Sequence, residues 1–153
     1  IETFNEFRFF TGLESIDSGS FEGCSSLREV TLPVLTKMRA GAFGNSGIER
    51  LVIPEGYLTI ESGILQRCPN LVLVDFPSTV TSVSEGGSLF WAMKNQAIVI
   101  CRATTPPAFG GWGYDGDPKA IYVPDASVDA YKLTAGWSLQ AAKIYPLSTY
   151  VEP

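Results

Sequence analysis

The sequence predicts a solenoid of short strands and tight helical turns, and three observations carry that prediction. A seven-residue phrase recurs: Leu27-Arg28-Glu29-Val30-Thr31-Leu32-Pro33 returns as Ile48-Glu49-Arg50-Leu51-Val52-Ile53-Pro54 and as Leu71-Val72-Leu73-Val74-Asp75-Phe76-Pro77. The prolines are 21 and 23 residues apart (54 − 33 and 77 − 54). Two further apolar slots recur in step with the phrase. A period in this range means stacked coils, each burying its apolar edge only against its neighbours. Such stacks usually serve as binding surfaces and seldom as reaction vessels.

The elements of each coil follow in order. The first strand is the recurring phrase, with ragged copies at both ends. Phe4, Phe7, Phe9 and Phe10 take the slots of Leu27, Val30, Leu32 and Pro33; Ile98, Ile100 and Cys101 take those of Val74, Phe76 and Pro77; Ile121, Val123 and Pro124 repeat them once more. In Val30-Thr31-Leu32, alternation sends the first and third side chains inward and the middle one outward. Proline after the last inward residue ends the strand where no ladder donor is needed. A short second strand follows, read in Leu13-Glu14-Ser15-Ile16, Leu35-Thr36-Lys37-Met38, Tyr57-Leu58-Thr59-Ile60 and Val80-Thr81-Ser82-Val83. The coil closes through a helical or 3₁₀ turn, marked by Phe21 with Cys24, Phe43 with Ser46, Leu65 with Cys68 and Phe90 with Met93. That spacing puts both side chains on one side of a single turn. Each buried Phe or Leu contributes about 1.5–3 kcal/mol. No single coil offsets its own chain entropy that way, so neighbouring coils must stack.

These residues resemble the BspA-like, treponemal-type leucine-rich repeats, whose coil runs Leu-x-x-Val-x-Ile-Pro, Val-Thr-x-Ile, then Ala-Phe-x-x-Cys. Ala42-Phe43 and Ser20-Phe21 match the Ala-Phe step, and Cys24 and Cys68 match its cysteine. Ala103-Thr104-Thr105-Pro106-Pro107, Ile121-Tyr122-Val123-Pro124, Ala126 to Lys132 and Trp137 are similar to the terminal module of such proteins in gut Bacteroidetes. The resemblance implies an α/β fold: a right-handed leucine-rich-repeat solenoid of about five coils over residues 1–124, closed by a helical cap over 125–153. It also implies a surface protein, secreted or anchored to the outer membrane through a lipidated leader.

Composition narrows the function. At 153 residues the chain is one domain's worth. The formal net charge is −5, and the eleven Lys and Arg are scattered. Nucleic-acid binding needs a basic stripe and is not expected. No run is long and apolar enough to span a membrane. The chain begins at Ile1, just ahead of a strand phrase, and is expected to be a processed or trimmed fragment.

Cys24 and Cys68 fall in equivalent slots two coils apart, roughly 10 Å at one strand spacing per coil, which is too far for a disulfide. With Cys101 in a different slot, three reduced, buried thiols are expected. After Pro124 the period breaks. Asp125 or Ser127 caps a helix, Gly136 stops it, a second short helix holds Leu139, Ala141 and Ala142, and Tyr131 and Trp137 fill the inner side of the lid.

The chain has no histidine, which removes His-based triads, bases and metal ligands. No catalytic residue, cofactor or metal is expected. Gly111-x-Gly113-x-x-Gly116 matches a dinucleotide fingerprint, but Asp117-Pro118 and a strand follow it instead of a helix. Asp115 and Asp117 are of the right kind for calcium, yet lack a third acid and read as a turn.

Candidate ligand contacts lie in two outward columns: Thr31, Val52, Asp75 and Val99, and beside them Glu29, Arg50, Leu73 and Ala97. Val52, Leu73 and Val99 turned to water make an apolar stripe, which marks a contact site or simply the taste of strands for such residues. In the glycine-rich loop, Tyr114 takes the buried phenylalanine slot, and Trp112 lies where the family is polar. Trp91, next to Phe90, is a further exposed aromatic. The expected function is that of a non-enzymatic binding module on a bacterial surface, and what the resemblance implies is adhesion. A protein ligand, from host extracellular matrix or another bacterial surface protein, would bury the stripe, with Glu29, Arg50 and Asp75 fixing register. The alternatives are carbohydrate capture by Trp112 and Trp91, or a passive spacer.

Overall fold

The computed structural model describes residues 1–94 and 97–152. In chain order its strands are β1 (Thr3–Phe4), β2 (Ser15–Ile16), β3 (Glu29–Val30), β4 (Lys37–Met38), β5 (Arg50–Val52), β6 (Thr59–Ile60), β7 (Leu73–Phe76), β8 (Ser82–Val83), β9 (Met93–Lys94), β10 (Ile98–Cys101), β11 (Ala108–Phe109), β12 (Gly116–Asp117) and β13 (Ala120–Val123). The α-helix α1 (Val128–Leu133) and the strand β14 (Ile144–Pro146) follow. Short 3₁₀ turns cover Asn5–Phe9, Asp125–Ser127, Trp137–Lys143 and Leu147–Thr149.

Every strand pairing is parallel, because each coil returns to the same side before the next begins. The long ladder runs β1-β3-β5-β7-β10-β13-β14, the second runs β11-β8-β6-β4-β2, and β12 pairs with β9. Leu51, Val74, Val99, Ile121 and Ile144 stand in register along the inner side of the long ladder, all buried. Leu27, Ile48 and Leu71 are buried on adjacent coils, tied by Glu49 N–H to the Arg28 carbonyl at 2.9 Å and Val72 N–H to the Glu49 carbonyl at 2.8 Å. Ile16, Met38, Ile60 and Val83 face them from the second ladder.

The coil-closing segment is a chain of turns, not a helix. Gly23, Asn45, Arg67, Ala92 and Asp115 all have positive φ, one per coil, and a left-handed residue stops a right-handed helix. The freed amides bond to the next coil instead: Phe21 N–H to the Ala42 carbonyl, Phe43 to Ile64 and Phe90 to Trp112, at 2.8, 3.0 and 3.0 Å. Phe21 and Phe43 stack at 4.8 Å between ring centroids. The side chain of Met93, expected in the cysteine slot, lies outside the described residues.

Three registers differ from the sequence reading. At the start, Phe4 pairs with Val30, not with Leu27, and the chain then turns through Asn5–Phe9. That turn swings Phe7 inward over Phe21, 5.3 Å away, and leaves Phe9 and Phe10 exposed. At β10, Ile98 pairs with Leu73 and Cys101 with Phe76, one residue off the expected alignment. The next step is short by one, so Ile121 is again in line with Val74 through Val99. A one-residue slip exchanges the two faces of a strand, so Val99 is inside and Ile98 and Ile100 are outside. At the end, the period persists past Pro124: β14 pairs with β13, Ile144 beside Ile121 and Pro146 beside Val123.

Neither expected helix cap forms. The Ser127 hydroxyl donates to the Thr104 carbonyl at 2.7 Å, and Asp125 accepts from the Ser148 amide at 3.0 Å. Tyr131 and Trp137 are fully buried, with Trp137 Nε1 donating to the Pro107 carbonyl at 2.9 Å.

Candidate binding surface

The outer side of the long ladder is two surfaces. On its N-terminal half, Glu29 is exposed, Thr31 and Arg50 are half-buried, and Val52 is 53% exposed. With Pro54 these residues line a shallow groove of about 230 Å³. Neighbouring charges are paired loosely across coils, as in Arg28–Glu49 at 3.5 Å.

On the C-terminal half the picture inverts. Leu73 is only 3% exposed, although it points outward, because it forms a second apolar cluster with Ile98 and Ile100. Tyr122, Leu147 and Tyr150 pack on that cluster. The last two belong to a segment that crosses back over the ladder after β14, and Glu152 beyond them pairs with Arg50. Asp75 is buried beside Ile100 and is satisfied by Arg102, whose Nε and Nη2 reach its two carboxylate oxygens at 2.9 and 2.7 Å. These hydrogen bonds hold the Arg102 guanidinium above its ordinary pKa.

Of the expected contacts, Glu29, Thr31, Arg50 and Val52 therefore come together on open surface. Leu73 and Asp75 are outward but covered, and Val99 is 0% exposed in the core. The sequence reading missed the cover, Leu147, Tyr150 and Glu152, and what it covers, Ile98 and Ile100. A signal was present: Ile98-Val99-Ile100-Cys101 is continuously apolar, the mark of a parallel strand buried on both faces.

The aromatic loop also reverses expectation. Trp112 is 4% exposed and Tyr114 is 73% exposed. Phe90 N–H meets the Trp112 carbonyl as Phe43 N–H meets that of Ile64, so Trp112 precedes the phenylalanine slot and Gly113 occupies it. The Trp112 indole fills the vacated space against Phe109 and Trp137, at 4.7 and 5.7 Å, and donates to the Gly136 carbonyl at 3.1 Å. The same geometry accounts for the fingerprint glycines. A Cβ at Gly113 would meet the Phe90 carbonyl oxygen at 1.7 Å, and one at Gly116 the Trp112 oxygen at 2.0 Å. Asp117 is engaged by the Lys143 ammonium.

Trp91 and Tyr114 form an exposed pair with centroids 6.4 Å apart. Trp91 borders a shallow groove of about 470 Å³ with Ser18, Glu22, Ser62, Gln66 and Ser88. All three cysteines are thiols. Cys68 and Cys101 are buried, and burial pushes the Cys101 thiol up to about 11. Cys24 is exposed, contrary to expectation, because it lines an open cleft with Ile1, Phe4, Phe21 and Leu27 at the N-terminal end. Among the described residues, no helix is long and apolar enough to cross a membrane.

No curated protein matches the chain. The family model described as BspA type Leucine rich repeat region matches residues 2–105 in six copies, over half of the chain. That match agrees with the parallel ladders and with the apolar rows to which successive coils each give one residue. The chain belongs to the BspA-type leucine-rich-repeat family.

Proposed function

We propose that this solenoid is a non-enzymatic adhesion module, displayed outside the cell, that binds a protein through the open N-terminal half of its long ladder. Repeat modules of this family are often used for protein interaction at surfaces, which supports the general class. The observation that carries the specific reading is Val52, an exposed apolar side chain flanked by Glu29, Thr31 and Arg50 over a groove. An apolar centre with a charged rim suits a protein interface. The test is capture of the chain on immobilised host extracellular-matrix proteins, compared with Val52→Glu. Capture is expected to fall about tenfold or more, as for loss of a central contact, with the melting temperature unchanged. Equal capture by both proteins rejects this face.

A second reading is carbohydrate capture, now by Trp91 and Tyr114, since Trp112 is buried. Two exposed rings beside a groove of hydroxyl, amide and carboxylate groups favour it. Glycan-array binding lost in Trp91→Ala supports it, and a blank array counts against it.

A further inference from the structure

The apolar half of the outer ladder face is covered by the protein's own residues 147–152. The segment makes no ladder with the sheet beneath it. Among the described residues, its one backbone-to-backbone hydrogen bond is internal, from the Tyr150 amide to the Leu147 carbonyl at 3.0 Å, and the Ser148 amide donates to the Asp125 carboxylate at 3.0 Å. It is held by two side chains, Leu147 and Tyr150, resting on Leu73, Ile98, Ile100 and Tyr122, by the exposed bond from the Ser148 amide to Asp125, and by the exposed Arg50–Glu152 ion pair. Val151 between the anchors points to solvent. Among the described residues the buried Tyr150 hydroxyl has no hydrogen-bond partner, a defect that weakens the contact. An exposed ion pair adds little and is screened by salt.

Arg50 links the two halves. It stands in the open surface beside Glu29 and Val52 and also holds Glu152. A ligand that offers Arg50 a carboxylate therefore competes with the strap for its charged anchor. What it would uncover is contiguous with the open face: Leu73 is the ladder neighbour of Arg50, and Ile98 is the neighbour of Leu73.

We propose that Leu147–Glu152 is a displaceable strap that stands in for a ligand segment. The full binding face would then run from Glu29 to Ile100, taking a protein segment with an acidic residue for Arg50 and an apolar or aromatic residue for the Leu73–Ile98–Ile100 patch. This rests on the protein-binding reading, but its test needs no matrix ligand.

The test uses the full chain carrying Leu147→Ser with Tyr150→Ser, and a fluorescent peptide with the sequence of residues 146–152. The peptide is expected to bind the released variant roughly tenfold or more tighter than the wild type, whose own strap competes at the local concentration of a short tether. Arg50→Glu in the released variant weakens that binding about threefold or more at low salt, and a peptide carrying Glu152→Arg restores it. Equal binding to both proteins, or none at about 1 mM peptide by a variant with unchanged circular dichroism, overturns the proposal. Should the released variant fail to fold, Tyr150→Phe decides. Removing the unpartnered hydroxyl is expected to tighten the strap and slow hydrogen exchange of the residue-150 amide, and unchanged or faster exchange overturns the proposal. Loss of matrix capture leaves both results standing.

Discussion

Arg102 grips Asp75 with two of its nitrogens, and the two ends of that contact live in different solvents: Asp75 is buried on the ladder, while Arg102 is about half exposed. The two truncations are therefore unequal. Arg102→Leu leaves a buried carboxylate alone and is expected to cost about 2 kcal/mol, below the full buried-pair range because solvent reaches the guanidinium. Asp75→Val replaces the carboxylate with a side chain that suits its apolar neighbours and is expected to fall within about 1 kcal/mol of wild type. Urea midpoints of both variants check the asymmetry.

Gly113→Ala is expected to destabilise by more than about 2 kcal/mol, since the new methyl would sit inside the van der Waals radius of the Phe90 carbonyl and φ is +93°. Gly12→Ala, with no atom within 4 Å of the new methyl, is the control and is expected to stay within about 0.5 kcal/mol. Thermal melting of the pair reads this out.

Thiol labelling separates the cysteines. At pH 8 the exposed Cys24 is expected to react promptly in the native protein. Cys101, with its thiol pushed up to about 11 by burial, reacts only on unfolding, as does the buried Cys68. Mass spectrometry after a timed pulse of iodoacetamide should find one adduct native and three denatured. Prompt loss of the Cys101 thiol would contradict the burial.

Glu55 fixes the acid dependence of one turn. It accepts from the Ser78 and Thr79 amides and the Ser78 hydroxyl of the next coil, and the Ser78 amide bond leads in holding its carboxyl below the ordinary 4.5. A carboxyl with a lowered folded pKa contributes stability in full above its unfolded value, and loses it as pH falls through the folded one. Glu55→Gln is expected to lower the melting temperature slightly at pH 7 and to close that gap below about pH 4. Melting curves from pH 7 down to about pH 3 show whether the two proteins converge.

Much of this was legible in the sequence. The rows Leu27–Ile48–Leu71 and Ile16–Met38–Ile60–Val83 follow from spacing alone, because parallel coils put equal letters side by side. What failed was counting across irregular coils. The coil at β10 is one residue longer at its ladder and the next one shorter, so Val99 and Ile100 exchanged faces while Ile121 came out right. Trp112 and Tyr114 exchanged faces for the same reason, since Gly113 takes a slot that elsewhere holds a large side chain. The strap was missed for a different cause: it crosses several coils at once, from Tyr122 to Arg50, and no period links Leu147 and Tyr150 to Leu73.

Hydroxyl-radical footprinting of the intact chain tests most directly whether the outer ladder face is open over β5 and covered over β7 and β10. Ready oxidation of Val52 and Tyr114 is expected, with protection of Leu73, Ile98, Ile100 and Trp112. Strong modification of Ile98 and Ile100 with little at Val52 would contradict it.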